Sequence, residues 1–127
     1  MKEMYNILEP IRSLEFSDSF IEFYSQLDEN IQMKFYRGFD AIKHTYVLNT
    51  NLIKKLVGTA FYEMRIPVGN NQFRTILFAV DNENIILAKK VLLLNGFIKK
   101  STKDYNKQIK KAETILKSSE LWNGKNI

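Results

Sequence analysis

Phe61-Tyr62-Glu63-Met64-Arg65-Ile66-Pro67-Val68-Gly69-Asn70-Asn71-Gln72-Phe73-Arg74-Thr75-Ile76-Leu77-Phe78-Ala79-Val80 is the stretch that decides the fold. Residues 61–66 alternate, so that in a strand Tyr62, Met64 and Ile66 share one face while Glu63 and Arg65 share the other. Residues 67–71 are dense in turn formers and predict a hairpin. Gln72 to Val80 is apolar on both faces, as a central strand is. Each strand of the hairpin carries one arginine, Arg65 and Arg74, a permanently charged fork suited to phosphate oxygens.

On the N-terminal side the period changes. Phe20, Phe23, Tyr24 and Leu27 follow one another at i, i+3, i+4 and i+7 behind a capping-box spacing at Ser19 to Glu22, and Ile31, Phe35, Phe39 and Ile42 form a second helical stripe. Asp28-Glu29-Asn30 separates them, so 19–43 reads as a helical hairpin. A strand before it could occupy 5–8 or 11–16, with Pro10 between, and the second placement is preferred. On the C-terminal side, Leu92 to Ile98 is the last strand, while 85–90 could be a short strand or an inserted loop. Tyr105, Ile109, Ala112 and Leu116, at i, i+4, i+7 and i+11, predict a helix from Thr102 or Asp104 to Ser119. The expected class is α+β: an N-terminal strand and helical hairpin, then a small antiparallel sheet and a C-terminal helix, in one domain spanning 1–127.

Charge is concentrated rather than spread. The 19 basic and 14 acidic residues leave a net +5. Residues 97–117 hold seven lysines against Asp104 and Glu113, and that surplus equals the net charge of the whole chain. Such a patch fits a polyanion, or an acidic protein surface that mimics one. With no cysteine there is no disulfide, thiol nucleophile or thiolate metal site, and the lone His44 cannot build a zinc site alone. No run approaches the roughly 18 apolar residues of a membrane span, so a cytoplasmic soluble protein is expected.

Four elements carry a resemblance: Phe61-Tyr62-Glu63-Met64-Arg65, Phe73-Arg74, Leu93-Leu94-Asn95-Gly96-Phe97-Ile98-Lys99-Lys100, and a lysine-rich helix from Thr102 to Leu116. In kind and order they resemble the RelE/HigB superfamily of ribonuclease toxins, in particular its HigB-like, phage-derived branch. The inserted 85–90 stretch departs from that pattern.

The resemblance implies a compact RelE-like fold and a mRNA endoribonuclease that uses the substrate's own 2′-hydroxyl, with neither metal nor other cofactor. It also implies dependence on the ribosome and a helix-turn-helix antitoxin as partner. Arg65 and Arg74 are then the cations that offset charge on the cleaved phosphate. Lys99 or Lys100 is the candidate base, since crowding by other cations lowers a lysine pKa, with Tyr105 as a further catalytic candidate. Lys103, Lys107, Lys110 and Lys111 would bind RNA backbone.

Each of these has a blander reading. Glu63 and Arg65 could be a surface ion pair, the lysines a solvated helix face, Tyr105 core, His44 a helix end, and Trp122 a packed terminal aromatic. Two rival functions remain open: a non-catalytic gyrase inhibitor of the ParE type, or a decayed toxin that only binds its antitoxin. Gly-Phe-x-Lys-Lys favours the HigB-like branch.

Overall fold

A computed structural model describes residues 9–119. Its elements are β1 (Ser13–Phe16), α1 (Asp18–Ser25), α2 (Glu29–His44), β2 (Ile53–Lys55), β3 (Tyr62–Val68), β4 (Asn71–Ala79), β5 (Lys90–Ile98) and α3 (Thr102–Lys117). The five strands form one sheet in the order β1-β5-β4-β3-β2. β2 to β5 pair antiparallel, as the hairpin pattern predicts. β1 pairs parallel with β5, so the sheet is mixed rather than purely antiparallel. The helical hairpin carries the chain from β1 at one edge to β2 at the other, and the three antiparallel steps from β2 back to β5 leave β5 running parallel to β1.

The α+β expectation holds, and so do the two helical stripes. The strand placement at 11–16 is met by β1, whereas the alternative at 5–8 and Trp122 lie outside the described residues. β4 is the middle strand. Of the 85–90 stretch, 85–89 is loop, although Ile85 and Ala88 are buried in the core, and Lys90 already begins β5. Asp81 closes that loop by accepting the backbone N–H groups of Lys89 and Lys90 at 3.0 Å each. β2 has no counterpart in the sequence reading.

Serine or aspartate caps each helix. Ser17 accepts from Phe20 N at 3.1 Å, Asp28 from Ile31 N at 3.0 Å, and Ser101 from Asp104 N at 3.1 Å. The first cap therefore falls two residues before the expected Ser19, because the Ser17 hydroxyl also donates to the Leu94 carbonyl and ties the helix start to β5. Between β3 and β4, Gly69 at φ 59° opens a two-residue turn, the left-handed position glycine tolerates best.

Both faces of the sheet are covered. On one, Phe20, Phe35, Phe39 and Ile42 from the helical hairpin pack against Met64, Ile66, Phe73 and Leu77. On the other, Ala112 and Leu116 from α3 pack against Ile76, Phe78, Leu92 and Leu94. The glycine of the Gly-Phe-x-Lys-Lys element belongs to the first interface. A Cβ on Gly96 would come within 2.3 Å of the Phe23 ring, so the glycine seats α1 on the sheet.

A register shift between Ile76 and Leu77 leaves Leu94 unpaired opposite β4. This bulge resets the alternation of β5, because two residues there span the place of one. Before it, Leu92 faces α3. After it, Asn95 and Phe97 do, Asn95 donating to Gln108 of α3 and the Phe97 ring meeting Tyr105 edge-on at 5.4 Å.

Buried Arg12 locks the lower end of the molecule. Its five N–H groups donate to the carbonyls of Ile42, Thr45 and Tyr46 at the end of α2, and of Ile85 and Ile86 in the β4–β5 loop, at 2.6–3.0 Å. Burial lowers its pKa, and the charge on Tyr46 pushes in the other direction. The fork neutralises orphan carbonyls at a helix C-terminus, where a cation is electrostatically favoured.

Candidate functional site

Register brings the two arginines together. Arg65 of β3 lies directly opposite Arg74 of β4, and both point to the α3 face with Glu63. Opposed like charges destabilise a sheet, and Glu63 answers them. Its Oε1 lies 2.9 Å from Arg65 Nε and 3.7 Å from Arg74 Nε, while Oε2 is buried with no hydrogen-bond partner among the described residues. The 2.9 Å contact is an ion contact rather than an aligned hydrogen bond, since Arg65 Nε has none.

The two guanidiniums differ in access. Arg74 is only 4% exposed, and its Nη1 donates to Gln72 Oε1 at 3.2 Å and to the Phe73 carbonyl at 3.4 Å. Burial lowers its pKa, with Glu63 acting to raise it and Arg65 to lower it further. An arginine nonetheless stays protonated at any ordinary pH. The Arg65 side chain is 29% exposed. It makes no side-chain hydrogen bond among the described residues, which leaves donors for an anion.

An open groove of about 360 Å³ lies over this pair, lined by Arg65, Glu63, Lys54, Lys55, Lys99, Thr102 and Tyr105, together with Leu56, Val57 and Asn106. Lys54 is the cross-strand neighbour of Glu63 and so lies on the same face. Sequence reasoning missed it because β2 is three residues long and too short to show an alternation. A backbone bond from Lys99 N to the Gln72 carbonyl at 2.8 Å carries the sheet one residue past Ile98. Ser101 then turns the chain into α3, whose first turn delivers Thr102 and Tyr105 to the rim.

Of the residues singled out in the sequence, the fold brings Arg65, Lys99 and Tyr105 to the groove. Arg74 sits behind Glu63 and does not line it. Lys100, one residue along from Lys99, is exposed elsewhere. Lys103, Lys107, Lys110 and Lys111 are exposed on α3 and none lines the groove. Tyr105 combines both of its readings, packing on Phe97 and lining the groove. His44 closes α2, its Nδ1 lying 3.1 Å from Asp40 Oδ1, which is the helix-end role expected of it. Among the described residues no three His, Asp or Glu side chains converge as a metal site, and no helix is long and apolar enough to cross a membrane.

A mixed sheet with a helical hairpin on one face and a C-terminal helix beside an arginine-bearing groove is the RelE-like arrangement. A solved structure of the Escherichia coli toxin RelE, an arginine-to-alanine double mutant in the free state, superposes with a TM-score of 0.57 at 13% identity, over 80% of this chain and 97% of that one. The family model of the phage-derived Gp49-like proteins matches residues 22–117, and the chain belongs to that family. A search of curated proteins finds no match. The RelE-like fold expected from the motifs is thus the one found, the family is a phage-derived one, and the matched span contains every element that carried the resemblance.

Proposed function

We propose that the chain is the toxin of a type II toxin–antitoxin pair, a metal-independent endoribonuclease that cleaves mRNA held on the ribosome. The observation that supports it best is the groove in which Lys54, Arg65, Lys99 and Tyr105 surround a buried carboxylate. Lys54, Arg65 and Lys99 converge there from β2, β3 and the end of β5, while the Lys55 amine is held by the carbonyls of Thr59 and Phe61. A phosphodiester is the ligand class this charge pattern favours.

In the reaction, the 2′-hydroxyl of the upstream ribose attacks the adjacent phosphorus as its proton passes to a base. The P–O5′ bond breaks, and the departing 5′-oxygen takes up a proton. The upstream fragment is left with a 2′,3′-cyclic phosphate. Arg65 offsets the charge that grows on the non-bridging oxygens, with Lys54 beside it. Lys99 in its free-amine form is the candidate base, and Tyr105 the candidate donor to the leaving oxygen. Arg74 contributes from behind, sharing Glu63 Oε1 with Arg65 so that Arg65 is not the carboxylate's sole cation. No histidine lies at the groove, so the ribosome supplies the in-line alignment of the RNA. A helix-turn-helix antitoxin would cover the same basic surface.

The test is expression of the chain alone. Protein synthesis should stop first, with mRNA cut inside translated frames, cyclic or 3′-phosphate ends, and cleavage that persists in EDTA. A 5′-phosphate product would overturn the chemistry. DNA damage signalling with intact mRNA would favour a gyrase inhibitor. Unaffected growth with tight binding of the neighbouring gene product would favour a decayed toxin.

A further inference from the structure

Arg65 borders a second hollow on the far side of the sheet edge. Of about 400 Å³, it is lined by Lys34 and Arg37 of α2, Asn49 and Asn51 of the α2–β2 loop, and Arg65 and Pro67 of β3. No acidic residue lines it. β2 begins at Ile53, opposite Met64, and Arg65 N donates to the carbonyl of Leu52 at 2.7 Å. Arg65 therefore stands at the corner where the sheet edge ends, which is how one residue borders both hollows.

The fold carries a local cost to build this hollow. Gly38 interrupts α2, where glycine is worth about 1 kcal/mol less than alanine, because a Cβ there would lie 3.1 Å from Met64 Sδ and 3.2 Å from Ile66 Cδ1. That close approach brings Arg37 and Lys34 beside β3. These two are like charges at i, i+3, an unfavourable spacing. Asp40, at i+3 from Arg37, turns its carboxylate to His44, with Oδ1 3.1 Å from Nδ1. Neither Lys34 nor Arg37 has an ion pair among the described residues. Asn51 N donates to Asn49 Oδ1 at 2.7 Å, which fixes the loop and leaves the Asn49 amide nitrogen free of that bond.

We propose that Lys34, Arg37 and Asn49 form a second phosphate subsite, which takes the RNA backbone as it leaves the Arg65 groove around the sheet edge. This rests on reading that groove as an RNA site. RNA is favoured over an acidic peptide by continuity, since Arg65 lines both hollows and a polynucleotide presents phosphates at regular intervals along a single strand.

The experiment measures binding of a 12-nucleotide single-stranded RNA with 2′-O-methyl riboses, which cannot be cleaved, to the full chain as a function of salt. Losing two phosphate contacts flattens the log–log slope by about 1.4, at about 0.7 per contact for single strands. The double variant Lys34→Gln, Arg37→Gln should show that flattening. Lys43→Gln, Lys89→Gln, an equal charge loss at the β1 edge of the sheet, should change the slope by less than half as much. Equal slopes for the two variants would overturn the subsite. So would a double variant that loses affinity for polyglutamate while keeping that for RNA, which would assign the hollow to an acidic protein. Failure of the enzyme reading is separate, because a chain that cleaves no mRNA in cells but shows the slope change keeps the subsite and loses only the chemistry.

Discussion

Arg12 and the Arg65–Arg74 pair occupy opposite ends of the molecule and are buried in opposite ways. Arg12 meets five carbonyls with five donors, all fixed by backbone, and nothing is left over. At the other end two guanidiniums share one oxygen of Glu63, whose second oxygen has no hydrogen-bond partner among the described residues. Full satisfaction makes Arg12 a clamp between α2 and the β4–β5 loop. Under-satisfaction beside a groove leaves the second region charge and donors with which to bind something else. A buried arginine is thus informative through its surplus of donors, not through its burial.

The sharpest way to break this contrast is to remove the clamp. Arg12→Met should cost about 3–5 kcal/mol, the range for disrupting a buried charged network, and lower Tm by roughly 10–20 °C. A thermal melt within a few degrees of wild type would show that water replaces the fork at its carbonyls and that Arg12 is no clamp.

Next in size is the separation of the two site arginines. Arg65→Ala should lower mRNA cleavage by about 10²–10³-fold, as for loss of one charge-stabilising donor, with Tm close to wild type because the side chain is partly exposed. Arg74→Ala should instead act through the fold, by leaving Glu63 underpaired. A double-mutant cycle of Arg74→Ala with Glu63→Ala should show coupling of roughly 1–3 kcal/mol in unfolding by denaturant. Additive effects would mean that Glu63 is satisfied by Arg65 alone.

Gly96 sharpens the distinction between packing and site within one motif. Gly96→Ala drives a methyl into the Phe23 ring and should destabilise by about 1–3 kcal/mol. Lys99→Gln, three residues on, should leave stability unchanged and reduce cleavage. A stable Gly96→Ala chain that had lost only activity would assign the glycine to the site rather than to packing.

The smallest expected effect is acid sensitivity at Asp81. Burial would raise its pKa, but the amides of Lys89 and Lys90 and the Lys89 charge outweigh that, and the carboxyl is held below its ordinary value. A carboxylate depressed in the folded state stabilises above its unfolded pKa, and that stability is lost as pH falls through the folded value. Asp81→Asn should therefore be less stable than wild type at pH 7, with the gap closing below about pH 4. A gap that stayed constant with pH would show that the carboxylate contributes no charge-dependent stability.

The sequence by itself determined the hairpin, the two helical stripes and the basic final helix, because each is written in short-range periodicity and turn chemistry. It could not separate Arg65 from Arg74, which occupy similar strand positions. Their difference comes from Glu63 and the α3 face closing over one of them. Lys54 was invisible because its strand is defined by its partner rather than by any pattern of its own. The choice between Lys99 and Lys100 was decided by the bulge at Leu94. Unbroken alternation from Leu92 would have turned Lys100 toward α3, and one extra residue, fixed only by pairing with β4, turned Lys99 there instead.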